Sequence, residues 1–247
     1  AAILGVVLVL KRYSMIGDGL SHVSFGVYAI AIGVGFTKIP LLIVIPVVIF
    51  AAYILLRIGE STKVKSDAAI GLFSSSALAI GYIFGSLKHG GFSTDINSLM
   101  FGSIVFANRQ DLIIMLITAA LVIGLFIIFY NRIFAVTFDE PFAKATGTNT
   151  RLFNMLFASL TAIVIGMRIM GTLLISSIII FPALSSMQVF RKFKNVIVSS
   201  ALISLLSFLI TFFVFTNLPF GASVVVVNLA IFIIFVIVGK FKRRYGN

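Results

Sequence analysis

The chain has 247 residues, 60% of them hydrophobic and only 11% charged, far more apolar than the near-half content of a soluble domain, so it is read as an integral membrane protein. Lys and Arg number 19 against 7 Asp and Glu, a net charge of +12, but the basic residues fall between apolar runs, where they signal membrane topology and argue against nucleic-acid binding. With no cysteine, disulfides and thiolate metal sites are excluded, and any metal must be held by oxygen and imidazole.

In chain order, apolar runs at 1–10, 13–36, 39–56, 68–87, 112–130, 152–167, 169–190, 196–216 and 224–239 predict nine membrane helices in one domain over 1–247. The first run is about half the roughly 20 residues that a span needs and starts Ala-Ala without methionine. A truncated first span is expected, with a cleaved signal peptide as the rival. Only Arg168 separates the sixth and seventh runs, so a tight hairpin or broken helix is expected there.

With alternating spans, all basic residues except Lys38, Lys88, Arg109 and Arg168 fall on one side, which the positive-inside rule makes cytoplasmic, together with the C-terminus. Two connections are longer than turns. Residues 88–110, "KHGGFSTDINSLMFGSIVFANRQ", lie outside, with a loop containing His89 and an apolar helix "INSLMFGSIVF" at the interface. His89 is either a solvated loop residue or a cation contact at the entrance. On the cytoplasmic side, residues 131–151 contain Asp139, Glu140 and Pro141, then Phe142, Ala143, Lys144 and Gly147. Acidic start, early Pro and Gly stop predict a helix of one to two turns, either a solvated connector or a contact to something outside the membrane.

Asp18 and His22, in "MIGDGLSH", are the ionisable side chains inside an apolar run. A mid-helix Asp costs roughly 2.5–3.5 kcal/mol on insertion scales, so such groups face a bundle interior or a water path. Spaced i and i+4, they share one helix face and could grip one divalent cation. Three other readings stand beside that one: Asp18 caps the helix, Ser21 and His22 bond to a neighbouring helix, or the pair neutralises itself. Two ligands are fewer than the four that zinc normally takes, and a two-fold dimer would supply two Asp and two His.

Gly71, Ser75 and Ala79 form a small-residue stripe that reads as helix packing. "GTLLISSIIIFPALSS" carries Gly171, Ser176, Ser177, Pro182, Ser185 and Ser186, predicting a kink at Pro182 with the serines re-bonding freed backbone groups. There is no G-x-x-x-x-G-K-[ST], no Ser-His-Asp set and no H-E-x-x-H, so uphill movement of anything needs another subunit or an ion gradient.

The blocks "KRYSMIGDGLSH", "FAKATGTNTRLFN", "MRIMGTLLISSIIIFPALSS" and "LPFGASVVVV", in that order, resemble the membrane permease of bacterial zinc/manganese ABC importers, the ZnuB-like family, over nearly the whole chain. The resemblance implies an all-α permease with the type II ABC importer fold, without an ATPase site of its own and with no permanently bound cofactor. It would sit in the bacterial inner membrane among lipid, as a homodimer with a separate cytoplasmic ABC ATPase and an extracytoplasmic metal-binding protein. It further implies that Asp18 and His22 coordinate the transported metal, and that Asp139 to Gly147 is the coupling helix docking into the ATPase. Zinc is the expected cargo, with manganese or iron(II) the alternative within the family. The block "DAAIGLFSSSALAIG" departs from the zinc-type pattern by carrying serines in place of a histidine, which leaves a third ligand from this helix without support. A secondary transporter driven by an ion gradient would also use intramembrane Asp and His, but no second GDxxxH appears in the C-terminal half.

Overall fold

A computed structural model describes residues 1–34, 41–59, 66–86, 109–150, 152–154, 156, 160, 172–215 and 218–245. Every element with described bounds is an α-helix, as expected of backbone that must satisfy its own hydrogen bonds in lipid. In chain order they are α1 (Ala2–Leu10), α2 (Ile16–Gly33), α3 (Leu41–Gly59), α4 (Ser66–Ser86), α5 (Arg109–Ile128), α6 (Tyr130–Phe138), α7 (Glu140–Ala145), α8 (Thr172–Val189), α9 (Phe193–Val214) and α10 (Phe220–Tyr245).

The short α1 is a central element, packed on α8 and α9, with Leu4, Val6 and Val7 at most 1% exposed. Gly5 allows this: a Cβ there would lie 2.1 Å from the carbonyl oxygen of Ile179 on α8. Two apolar clusters form the interior. Leu20, Val48, Ala52 and Ile179 join α2, α3 and α8, while Val6, Val7, Phe126, Phe153 and Phe193 join α1, α5 and α9 with the helical residues near 153.

α2 packs most closely on α4, where small residues let two backbones meet. The residues in that contact are Gly26, Ala77 and Gly81. The predicted stripe of Gly71, Ser75 and Ala79 lies on the exposed face of α4, with nothing within 4 Å of a Cβ at Gly71.

Among the described residues, two helices are long and apolar enough to cross a membrane alone, Phe193–Val214 and Phe220–Lys242. Leu116–Ile128 and Tyr130–Phe138 pass that test only together and are bent by 73° where they meet, so α6 occupies residues read from sequence as the start of a connection. The last helix extends beyond the predicted 224–239 at both ends. Hydropathy marks the lipid-depth part of a helix, whereas backbone bonding continues into the headgroup region. Near the C-terminal end of α10, Lys242 reaches back to the carbonyl of Val189 at 3.4 Å and lies 5.9 Å from the Phe190 ring centroid.

α8 runs unbroken through Pro182, and Ser186 donates to the Pro182 carbonyl at 2.8 Å. Ser177 instead accepts from the amide of Asn228 on α10 at 3.0 Å, a polar clasp between two buried faces. The helix expected over "INSLMFGSIVF", His89 and the junction around Arg168 lie outside the described residues.

Candidate metal site and short helix

The turn between α1 and α2 sets the position of the candidate site. Lys11 and Arg12 end α1, with Arg12 in left-handed backbone (φ 62°). The amides of Lys11, Arg12 and Tyr13 donate to Val7, Val9 and Leu8 at 2.9, 3.1 and 2.8 Å. α2 then starts at Ile16 and carries Asp18 in its first turn, where the positive end of the helix dipole favours a carboxylate.

One oxygen of Asp18, Oδ1, accepts from the Ser176 hydroxyl of α8 at 3.1 Å, and the other, Oδ2, stands 3.6 Å from His22 Nε2. The second separation is too long for a good hydrogen bond. It is near the roughly 3.4 Å that separates two donors about 2.0–2.1 Å from a tetrahedral zinc ion. The Asp18 side chain is 37% exposed and that of His22 19%, so the pair is sunk in the protomer yet reachable from its surface. His22 Nδ1 is buried, with no hydrogen-bond partner among the described residues.

Among the described residues the Ser21 hydroxyl is directed at its own helix, to the carbonyls of Gly17 (2.9 Å) and Asp18 (2.8 Å). No group of three or more His, Cys, Asp or Glu able to hold a metal occurs among the described residues, which bring together Asp18 and His22 with the Ser176 oxygen beside them.

Ser176 was visible in the sequence only as one of several serines expected to re-bond the backbone of α8. Its contact to Asp18 spans 158 residues, and no spacing rule distinguishes it from Ser177.

The segment 131–151 contains the predicted short helix, α7. Asp139 caps it by accepting from the Phe142 amide at 2.9 Å, and Pro141 stands in its first turn. Gly147, at φ +83°, turns the chain out of it. Ala143 is fully buried while Phe142 is 60% exposed, so one side of the helix is anchored and the other presents an aromatic ring and Lys144. Asp139→Ala is expected to loosen α7 by about 1 kcal/mol, read as faster hydrogen exchange at the Phe142 amide with exchange in α9 unchanged.

A family profile described as the ABC 3 transport family matches residues 1–239. The chain is 29% identical over 227 residues to the high-affinity zinc uptake system membrane protein ZnuB of Buchnera aphidicola, covering 90% of this chain and 86% of that one. It is 30% identical over 251 residues to the manganese import system permease protein ScaB of Streptococcus gordonii, covering 99% and 88%. Among solved structures, PsaBC from Streptococcus pneumoniae in complex with Fab superimposes with a TM-score of 0.82 at 28% identity, over 95% of this chain and 84% of that one. A metal-chelate type ABC transporter in an inward-facing conformation shares the fold, with a TM-score of 0.71 at 16% identity over 96% and 83% of the two chains.

Proposed function

The chain belongs to the ABC 3 transport family, as a metal ABC importer permease, and from that premise we propose that its cargo is zinc, bound at Asp18 and His22 on the way across the membrane. The observation that carries this reading is the paired approach of Asp18 Oδ2 and His22 Nε2, 3.6 Å apart in an otherwise apolar helix. A carboxylate and an imidazole suit zinc, and manganese is the second reading because relatives of similar identity are named for it. Two protomers about a two-fold axis would complete a four-donor set.

In this mechanism a separate cytoplasmic ATPase closes on ATP and pushes on α7. The helices around Asp18 rearrange, and the cation that an extracytoplasmic binding protein delivered passes between the subunits. Asp18 supplies the charge that draws the cation out of water. His22 supplies a neutral nitrogen donor whose other ring nitrogen lies in the protein interior. Ser176, bonded to Oδ1, holds the carboxylate so that Oδ2 faces His22. Arg12, Arg57, Arg191 and Lys192 are exposed at helix ends and would fix the cytoplasmic side, with the C-terminal Lys240 and Lys242 on it.

The test is ATP-dependent accumulation of radioactive zinc and manganese by proteoliposomes holding the permease, its ATPase and its binding protein, with each metal competing against the other. Preferential accumulation of manganese would overturn zinc as the cargo, and accumulation of neither metal would overturn the reading of the site. In the same system Ser176→Ala is expected to weaken zinc binding about three- to tenfold by titration of the purified permease. Outer-shell partners of metal ligands are worth more than this in closed sites, and the exposure of Asp18 reduces the effect.

A further inference from the structure

The basic pair that precedes the metal-site helix divides its labour. Arg12 is exposed, whereas the Lys11 side chain is only 14% exposed and turns toward the cytoplasmic helix. Its Nζ lies 3.5 Å from Glu140 Oε2 in the first turn of α7 and donates to Asn154 Oδ1. Asn154 closes the set by donating from Nδ2 to Glu140 Oε1 at 2.9 Å. The amide thus bridges both ends of the ion pair, and each group's position constrains the other two. Three segments meet here: the start of α7, the helical residues shortly after it and, 143 residues from Asn154, the end of α1.

We propose that Lys11, Glu140 and Asn154 are positioning residues that carry movement of α7 to the Asp18 site. This rests on the reading of the chain as the permease of an ATP-driven importer.

The path from Lys11 to Asp18 is seven residues long and contains little slack. Consecutive backbone bonds close the turn, from Lys11, Arg12 and Tyr13 back into α1, from Ile16 to Tyr13 at 3.0 Å, and from Gly19 to Met15 at 3.0 Å. Arg12 in left-handed backbone makes that turn tight. A shift of α7 that drags Glu140 therefore moves the Lys11 ammonium, and with it the end of α1 and the first turn of α2. Stability does not explain the arrangement. Glu140 is 44% exposed, and half-exposed ion pairs contribute little to folding. Their geometric value is different, because a bridged, partly buried lysine has one place to sit.

The experiment uses the permease with its ATPase and binding protein in proteoliposomes, and reads metal carried per ATP hydrolysed. Lys11→Met keeps the aliphatic stem and removes the charge. It is expected to co-purify with the ATPase and hydrolyse ATP within about twofold of wild type, as methionine keeps the buried stem and Glu140, half exposed, returns to water. The metal carried per ATP is expected to fall roughly two- to thirtyfold, the range for residues that couple two sites without touching either ligand. Lys11→Arg, which preserves the charge, is expected to retain most of the wild-type ratio. If Lys11→Met fails to assemble, Asn154→Ala, which removes the bridge and leaves the ion pair, is read in the same way. A wild-type ratio in the assembled variant overturns the proposal, and so does a loss in Lys11→Arg as deep as in Lys11→Met. Failure of the wild-type assembly to accumulate metal appears before any variant is made, and removes the underlying reading together with this one.

Discussion

Asp18→Asn is expected to lower zinc uptake more than about a hundredfold while leaving the thermal unfolding midpoint unchanged or slightly raised. The two halves of this expectation have separate causes. Asparagine has nearly the shape of aspartate, and its side-chain oxygen can still accept from Ser176, so the packing between α2 and α8 is kept. What disappears is the charge, and a carboxylate in a partly dry site supplies most of the attraction for a divalent cation. Outer-shell substitutions at metal sites already cost ten- to a hundredfold, and a direct ligand should cost more. Stability moves the other way, because an ionised group in a membrane helix is a burden that the neutral amide lightens. Uptake in proteoliposomes gives the first quantity and detergent-phase thermal unfolding the second. Uptake at the wild-type rate would show that the cation crosses elsewhere, and a collapse of the fold would show Asp18 to be structural.

Gly26→Val is expected to destroy the fold, with little monodisperse protein recovered and a destabilisation of about 3 kcal/mol or more. A Cβ at Gly26 would lie 2.3 Å from the carbonyl oxygen of Ala77 and 2.9 Å from its carbon. On the other side of the contact, a Cβ at Gly81 would lie 2.6 Å from the Gly26 Cα. Backbone faces backbone, so no rotamer change can make room, and α2 and α4 would have to separate. In lipid the loss is serious because helix association depends on close packing with no hydrophobic drive to replace it. Gly124→Ala is the matched control. No described atom lies within 4 Å of a Cβ there, and the better helix propensity of alanine should stabilise by up to about 1 kcal/mol. Size-exclusion recovery and thermal unfolding of the two variants side by side decide the matter. Equal recovery would mean that the tight α2–α4 contact is dispensable.

The readable parts of the sequence were local ones. α7 stands where its acidic start, proline and glycine placed it, since those residues act within a turn of where they sit. Asp18 and His22 face each other because the i, i+4 spacing alone brings them together. The bend between α5 and α6 falls where the apolar run was read to end, just before Asn131 and Arg132, and hydropathy has no means of showing that helix resumes there in a new direction. The clasp between Ser177 and Asn228 was hidden for a related reason: an amide in an apolar run announces a need for a partner without naming one.

By itself the sequence determined the membrane class, the gathering of positive charge between apolar runs, the short helix α7 and the Asp18/His22 face. Each follows from composition, or from geometry within one helix. Only the tertiary structure decided that Ser176 meets Asp18, that Ala77 and Gly81 oppose Gly26 while Gly71 faces outward, and that Lys11 reaches Glu140 and Asn154. The physical reason is that apolar residues surround these helices on nearly every side, so periodicity does not say which face meets a neighbour. Rotation and register were set by which small residues let backbones approach, and the polar contacts followed from that packing.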